Sequence, residues 1–363
     1  MIGILIVTAI VLIPVILTRN NNSKKIKYIP NKNSTKKINK YIDLHLHLDG
    51  AITVDIAKKL AKLQNYQLPT EDDEELEKLL SVPEDCKSLN DFLKCFELPV
   101  SLLQTKEGLS EAVKLVADNI QSQGVIYAEF RFAPQKHQDK NMTQKDAIEA
   151  ALDGLKKTSL KVNLILCYMR GDDNDEDNNI TLELAKEYLV KDGGVVAVDI
   201  AGAEALFKTE KYEELFRKTK EYNIPYTIHA GEADGSESVK KALEFGALRI
   251  GHGVRSFEDP EVLEMLKKRS VTLEMCPTSN RQTFAVEDMS KYPFMDYLRQ
   301  GIKVTLNTDD MGIERTNIAK EFEYMEKNFG LTYEDEKTIL LNSVNAAFTT
   351  DEVKAKLKKE LDL

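Results

Sequence analysis

Short apolar runs recur along the chain and alternate with longer stretches of helical period. The runs fall at 41–46, 125–132, 161–169, 195–200, 226–229, 248–252, 271–275 and 303–307, and they are rich in Val, Ile, Leu and Tyr. Several are apolar at consecutive positions, so both faces of such a strand would be buried, as in a parallel sheet. Between them, apolar residues three and four apart mark helices at 144–158, 181–190, 212–222, 236–245, 260–269 and 289–300. Strand and helix alternating in this way predict an α/β protein, and within that class a (β/α)8 TIM barrel. A doubly wound open sheet is the competing architecture; the regularity of the alternation favours closure.

Nearly 80 residues separate the first two runs, with helical patterns at 53–64, 71–80, 88–103 and 110–123. An insertion after a barrel strand lies on the face where active sites form, so this one predicts a helical lid after strand 1. Within it, Leu89, Phe92, Leu93 and Phe96 share one helical face, either as a cover over a ligand or as ordinary core packing. A charged amphipathic helix at 351–361 ends the chain.

The N-terminus departs from this pattern. Residues 2–18 carry no charge and are mostly Ile, Leu and Val, which is near the lower limit of about 17 residues for a membrane-spanning helix. No basic residue precedes them, whereas Arg19, Lys24, Lys25, Lys27, Lys32, Lys36, Lys37 and Lys40 follow. The expected division is a hydrophobic anchor or signal segment at 1–18, a basic polar tether at 19–40, and a catalytic barrel domain at 41–363. Basic residues after the apolar segment favour a membrane-anchored protein whose body stays on the cytoplasmic side. A cleaved or atypical export signal and a buried apolar segment are the alternatives.

Composition narrows the function classes. Net charge is −10 and the body has no basic stripe interleaved with aromatics, which argues against nucleic acid as a partner. Cys86, Cys95, Cys167 and Cys276 form no Cys-x-x-Cys pair and do not read as a disulfide framework.

The candidate chemistry gathers at the ends of the runs. His45-x-His47 closes the first; residues two apart on a strand point the same way, roughly 7 Å apart along it. The fifth run ends in His229-Ala-Gly-Glu232, the sixth in His252-Gly253, and the eighth leads into Thr308-Asp309-Asp310. In a barrel all of these meet on one rim. His45, His47, His229 and Asp309 form a ligand set suited to one Zn2+ with a water completing it. Glu232 and His252 remain as candidate acid and base. Other readings stay open: an N-terminal helix position for Glu232, a fourth ligand or packed ring for His252, and an Asx turn at Asp309-Asp310. His137, in a polar stretch, is expected at the surface. The fourth run ends in Asp199-Ile-Ala-Gly202 without a Lys that could bridge two metals, which favours a single ion.

His-Leu-His-Leu-Asp-Gly (45–50), His-Ala-Gly-Glu (229–232), Arg-Ile-Gly-His-Gly (249–253), Met-Cys-Pro-Thr-Ser-Asn (275–280) and Asn-Thr-Asp-Asp (307–310) together resemble the adenosine deaminase family of zinc enzymes, in order, over residues 41–350. The resemblance implies hydrolytic deamination of adenosine, and of 2'-deoxyadenosine, to inosine and ammonia. It implies zinc on His45, His47, His229 and Asp309, protonation of purine N1 by Glu232, and deprotonation of water by His252. It further implies contacts from Asp310 to N7, from the Gly202 N–H to N3, and from Asp49 to the ribose hydroxyls, with His47 also among the substrate-binding residues. Leu89, Phe92, Leu93 and Phe96 match the apolar lid. Some relatives act on adenine or a modified adenosine, and a catalytically silent nucleoside-binding relative is the other alternative; Asp49, where adenine deaminases often carry Glu, favours a ribose-bearing substrate. Ala203 departs from the family's usual Asp, whereas Glu204 is retained.

Overall fold

The computed structural model describes residues 37–83, 86 and 92–363. The apolar N-terminal segment, most of the basic tether and Leu89 lie outside the described residues.

All eight expected strands form, within two residues of the expected bounds: β1 Tyr41–His47, β2 Val125–Phe132, β3 Lys161–Met169, β4 Val195–Ala201, β5 Thr227–Ala230, β6 Arg249–His252, β7 Thr272–Met275 and β8 Lys303–Leu306. Every ladder is parallel and follows chain order, β1-β2-β3-β4 in one half and β5-β6-β7-β8 in the other. Single bridges join the halves, Val198 to Tyr226 between β4 and β5 and Leu46 to Asp309 between β1 and the end of β8. The second seam is reinforced where His47 N–H donates to the Asp309 carbonyl (2.9 Å) and Asp309 N–H to the His45 carbonyl (2.8 Å). The ring therefore closes as a barrel, and the bridge at Asp309 carries a ligand candidate to its neighbours.

The strands bury both faces because helices pack outside and side chains fill the lumen. That lumen is not wholly apolar. Glu129, Arg131, Asn163, Asp199, Arg249 and Glu274 all point into it, each at most 1% exposed. Beneath them, Ile42, Leu44 and Tyr127 meet Ala347 and Leu357, so the C-terminal helix Asp351–Glu360 plugs the end opposite the strand tips.

The insertion after β1 carries helices Val54–Gln64, Asp73–Leu80, Glu97–Ser101 and Lys106–Ser122. Thr53, Asp72 and Thr105 cap three of them, accepting from the N–H of Ile56, Glu75 and Gly108. Val82 N–H donates to the Ile313 carbonyl (2.9 Å), which pins the lid base to the loop after β8.

Several expectations need correction. Among the described residues of the helix expected at 88–103, a 3-10 turn at Lys94–Phe96 precedes the α-helix Glu97–Ser101. The helix at 289–300 is interrupted: a 3-10 turn at Met289–Lys291 precedes Pro293, and the α-helix runs only over Phe294–Arg299. Proline disfavours a helical conformation at the residue before it, here Tyr292, and has no N–H to give. His137 is not at the surface. Its side chain is fully buried, 5.7 Å from the Phe132 ring, where Gln104 of the insertion ties down the loop after β2 by donating to the Lys136 carbonyl (2.9 Å) and accepting from Asp139 N–H (3.0 Å).

Candidate metal centre and substrate cavity

Each site residue owes its place to the end of a strand. His45 and His47 alternate with apolar Leu44, Leu46 and Leu48, so both imidazoles face the barrel mouth, with ring centroids 5.4 Å apart. His229 enters from β5 at 4.6 Å from the His45 ring and His252 from β6 at 4.9 Å. Both His252 (φ 61°) and Asp309 (φ 68°) hold left-handed backbone conformations that are costly for residues with a Cβ. Strain at two strand tips, on side chains aimed at one point, belongs to a functional constellation.

The ligating atoms of His45, His47, His229 and Asp309 lie within 4.8 Å of one another. Nε2 of His47 is 3.2 Å from Nε2 of His229, and Oδ1 of Asp309 is 3.2 Å from Nε2 of His45 and 3.4 Å from that of His47. Donors about 2.0–2.2 Å from an ion at tetrahedral angles are separated by about 3.3–3.6 Å, so the observed spacing suits a small divalent cation. The orientations agree. His45 Nδ1–H donates to Glu274 (2.8 Å), which turns its Nε2 lone pair to the common point, and His229 Nδ1 lies 2.7 Å from the Asp199 carboxylate, with its Nε2 on the opposite side of the ring. Buried His45 Nε2 has no hydrogen-bond partner. Burial, aided by His229, His45 and Arg131, lowers the His47 pKa well below its ordinary value, which keeps the ring neutral as ligation requires.

Beneath the ligands is a layer that motif reading passed over. Arg131 donates to Asp199 (2.7 Å), to Glu274 (2.7 Å) and to the Leu44 carbonyl (2.8 Å), bridging the two carboxylates that orient His229 and His45. Arg249 pairs with the other oxygen of Glu274 (2.5 Å) and with Glu129 (2.6 Å). Burial alone would raise the Asp199 carboxyl; the adjoining His229 ring and the Arg131 guanidinium outweigh it and hold the group below its ordinary range. Glu274 is likewise held well below its ordinary range against burial, by Arg131 and Arg249. The available signal was charge at lumen-facing positions of otherwise apolar strands.

A cavity of about 360 Å³ adjoins the ligand atoms, within the usual range for a small organic ligand of roughly 300–1,000 Å³. Glu232 and His252 form its wall, with Glu232 Oε2 and Asp309 Oδ2 each 3.6 Å from His252 Nε2. Asp49, Gly202 and Asp310 line it, as do Phe92, Leu93 and Phe96 from the lid. The structure thus brings together every described residue expected at the site. Gly202 holds φ 105°, a conformation open to glycine, and a Cβ at Gly50 would overlap the Asp310 carboxylate. Burial raises Asp49 to about 6. Burial, then the Asp309, Asp49 and Glu232 carboxylates, drive Asp310 well above its ordinary value, so the structure favours its neutral form.

A nitrogen-rich ligand set at the strand tips of a (β/α)8 barrel, beside a buried carboxyl group and a further imidazole, places the chain among metal-dependent barrel hydrolases. The comparisons with known proteins are more specific. Residues 41–363 match the model of the family described as adenosine deaminase. Adenosine deaminase of Haemophilus ducreyi is 47% identical over 322 residues, covering 87% of this chain and 94% of that protein. Adenosine deaminase of Clostridium botulinum is 42% identical over 329 residues, covering 89% and 98%. Among solved structures, adenine deaminase from Arthrobacter aurescens aligns with a TM-score of 0.79 at 25% identity, covering 90% of this chain and 98% of that one. The chain belongs to the adenosine deaminase family.

Proposed function

We propose that His45, His47, His229 and Asp309 hold one zinc ion, and that the adjoining cavity takes adenosine, and by the same contacts 2'-deoxyadenosine, for hydrolysis to inosine and ammonia. The observation that carries this reading is the convergence of four metal-competent atoms on a cavity walled by a buried carboxyl group and a fourth imidazole. Three imidazoles and one carboxylate suit zinc better than oxygen-seeking Mg2+ or Ca2+. When bound, zinc supplies the Lewis acidity that makes a water nucleophilic near neutral pH.

The remaining work falls to side chains of the chain. Glu232, 6% exposed, delivers a proton to purine N1, and C6 becomes electrophilic as N1 is protonated. His252 takes a proton from the attacking water at Nε2. In the structure Asn280 Nδ2 faces His252 Nδ1 (2.9 Å) and Asn280 Oδ1 accepts from the Tyr292 hydroxyl (2.9 Å); base action at Nε2 needs the proton on Nδ1, and so needs this amide turned over, with the Tyr292 hydroxyl then accepting from its NH2. N7 of a purine carries a lone pair, so Asp310 must donate to it, as its neutral form does. The Gly202 N–H meets N3, while Asp49 faces the ribose and His47 lines the same cavity. Phe92, Leu93 and Phe96 cover the ligand and keep water out, which strengthens each polar contact inside.

Glu232→Gln tests the assignment. It should retain one zinc per chain by metal analysis while turnover of adenosine, followed in the ultraviolet, falls by roughly 10²- to 10⁴-fold. Unchanged turnover, or loss of zinc from this variant, would overturn the acid role. Parallel assays with adenine and AMP should give far lower kcat/KM than adenosine; a preference for adenine would overturn the ribose-bearing substrate. We further infer that the apolar N-terminal segment anchors the protein with its catalytic body on the cytoplasmic side. The body should resist protease added to intact cells, and its digestion there would refute that orientation.

A further inference from the structure

We propose that Glu204 is a positioning residue for Glu232, holding the turn that carries the proton donor against the substrate. The proposal rests on the reading of Glu232 as that donor. Glu204 follows β4 and is 1% exposed, and its carboxylate does not line the cavity. It is instead wrapped by the segment after β5. One oxygen accepts from Gly231 N–H (2.7 Å) and from the Ser238 hydroxyl (2.5 Å). The other accepts from the N–H groups of Glu232 (3.0 Å), Ala233 (2.7 Å) and Asp234 (3.1 Å). Four successive backbone N–H groups and one hydroxyl therefore converge on a single buried carboxylate. Among the described residues no Lys or Arg lies in ion-pair contact with it; the five donors bond it directly, and the Arg170 charge acts on it without contact.

The same turn is tied to the metal centre. The Ser238 hydroxyl is 2.7 Å from that of Thr209, and Arg170 donates to Thr209 (2.9 Å) and to the His229 carbonyl (2.7 Å). Glu204 thus sets the path of the chain from ligand His229 to acid Glu232, three residues apart. A carboxylate is needed because both oxygens must accept. Glutamine has the same shape, but either orientation of its amide turns an NH2 donor toward at least two other donors. The turn then shifts, and a proton donor displaced by a fraction of an ångström loses rate while the substrate still binds.

The experiment is a double-mutant cycle on the zinc-loaded full chain. Glu204→Gln should retain stoichiometric zinc, change KM for adenosine less than threefold, and lower kcat by roughly 10- to 100-fold. In a Glu232→Gln background the same change should cost less than threefold, because there is no longer a proton to place. Glu204→Asp, which keeps both acceptors on a shorter stem, should recover part of kcat. If Glu204→Gln lowers kcat by the same factor in both backgrounds, or leaves kcat unchanged in the single variant, the proposal is overturned. If Glu232→Gln alone turns over normally, it is the acid assignment that fails. Should Glu204→Gln not fold, Ser238→Ala, which removes one of the five donors, carries the cycle: a kcat loss confined to the Glu232 background supports the proposal, and an equal loss in both backgrounds refutes it.

Discussion

At the scale of single residues, the imidazoles were legible and their supports were not. A His-x-His pair at a strand end and two Gly-flanked histidines announce themselves, because strand periodicity fixes where they point. Asp199 and Glu274 orient two of those rings, yet in sequence each is one acid inside an apolar run, with its partner far along the chain. Arg131, on another strand, joins them. Orienting carboxylates of this kind usually contribute 10- to 100-fold to metal affinity, so Asp199→Asn should weaken zinc binding by about that factor in a chelator competition; wild-type affinity would refute its role. His137 failed for the opposite reason. Its neighbours Gln135, Lys136 and Gln138 are polar, but the tertiary fold buries the ring, and burial lowers its pKa from 6.5 to about 4. A folded-state pKa below the unfolded one means that the unfolded chain takes up the proton first. This contribution is therefore complete above about pH 6.5 and is lost as pH falls toward 4, by up to about 3 kcal/mol. His137→Gln should flatten the stability profile over that interval; an unaltered slope in denaturant titrations would rule the contribution out.

At the scale of elements, the strands were readable nearly to the residue, whereas helices were misplaced where a cap or a proline intervened. The helix expected at 181–190 begins at Asp175, because an acidic first turn (Asp175, Glu176, Asp177) extends it ahead of the apolar pattern. The helix expected at 289–300 is cut by Pro293. The lid was foreseen from the length of the insertion, but its attachment was not. Phe92, at 1% exposure, packs with Val82, Cys86, Cys95 and Ile313 in a cluster separate from the main core, while it also lines the cavity. Truncating it loosens the cover without opening the barrel. Phe92→Ala should raise KM for adenosine by about 10- to 200-fold, the range usual for lost apolar pocket contacts, with zinc content unchanged. An unaltered KM would show that the side chain packs the lid and does not meet the nucleoside.

At the scale of the whole molecule, the metal centre and the closure of the barrel are one problem. The ladders form two four-stranded halves that meet through only a single bridge at each seam. His45 and His47 come from the first half, while His229 and Asp309 come from the second. An ion shared by these ligands spans the halves and lies at the seam where β1 meets the end of β8. Its loss leaves the Asp309 carboxylate, at 4% exposure, with the imidazoles alone beside it and less to hold that seam shut. A ligand that binds only the folded state adds RT ln(1 + [L]/Kd), about 4 kcal/mol at a thousandfold excess over Kd. Chelation should therefore abolish turnover and lower the melting temperature by several degrees. In the chelated protein, amide exchange should quicken first at His47 and Asp309, whose N–H groups make the bonds across the seam, and later at the β2–β3 ladder, which has no seam. Uniform acceleration across all eight strands would instead mean that the ion stabilises the fold only by mass action and does not clasp the ring at that joint.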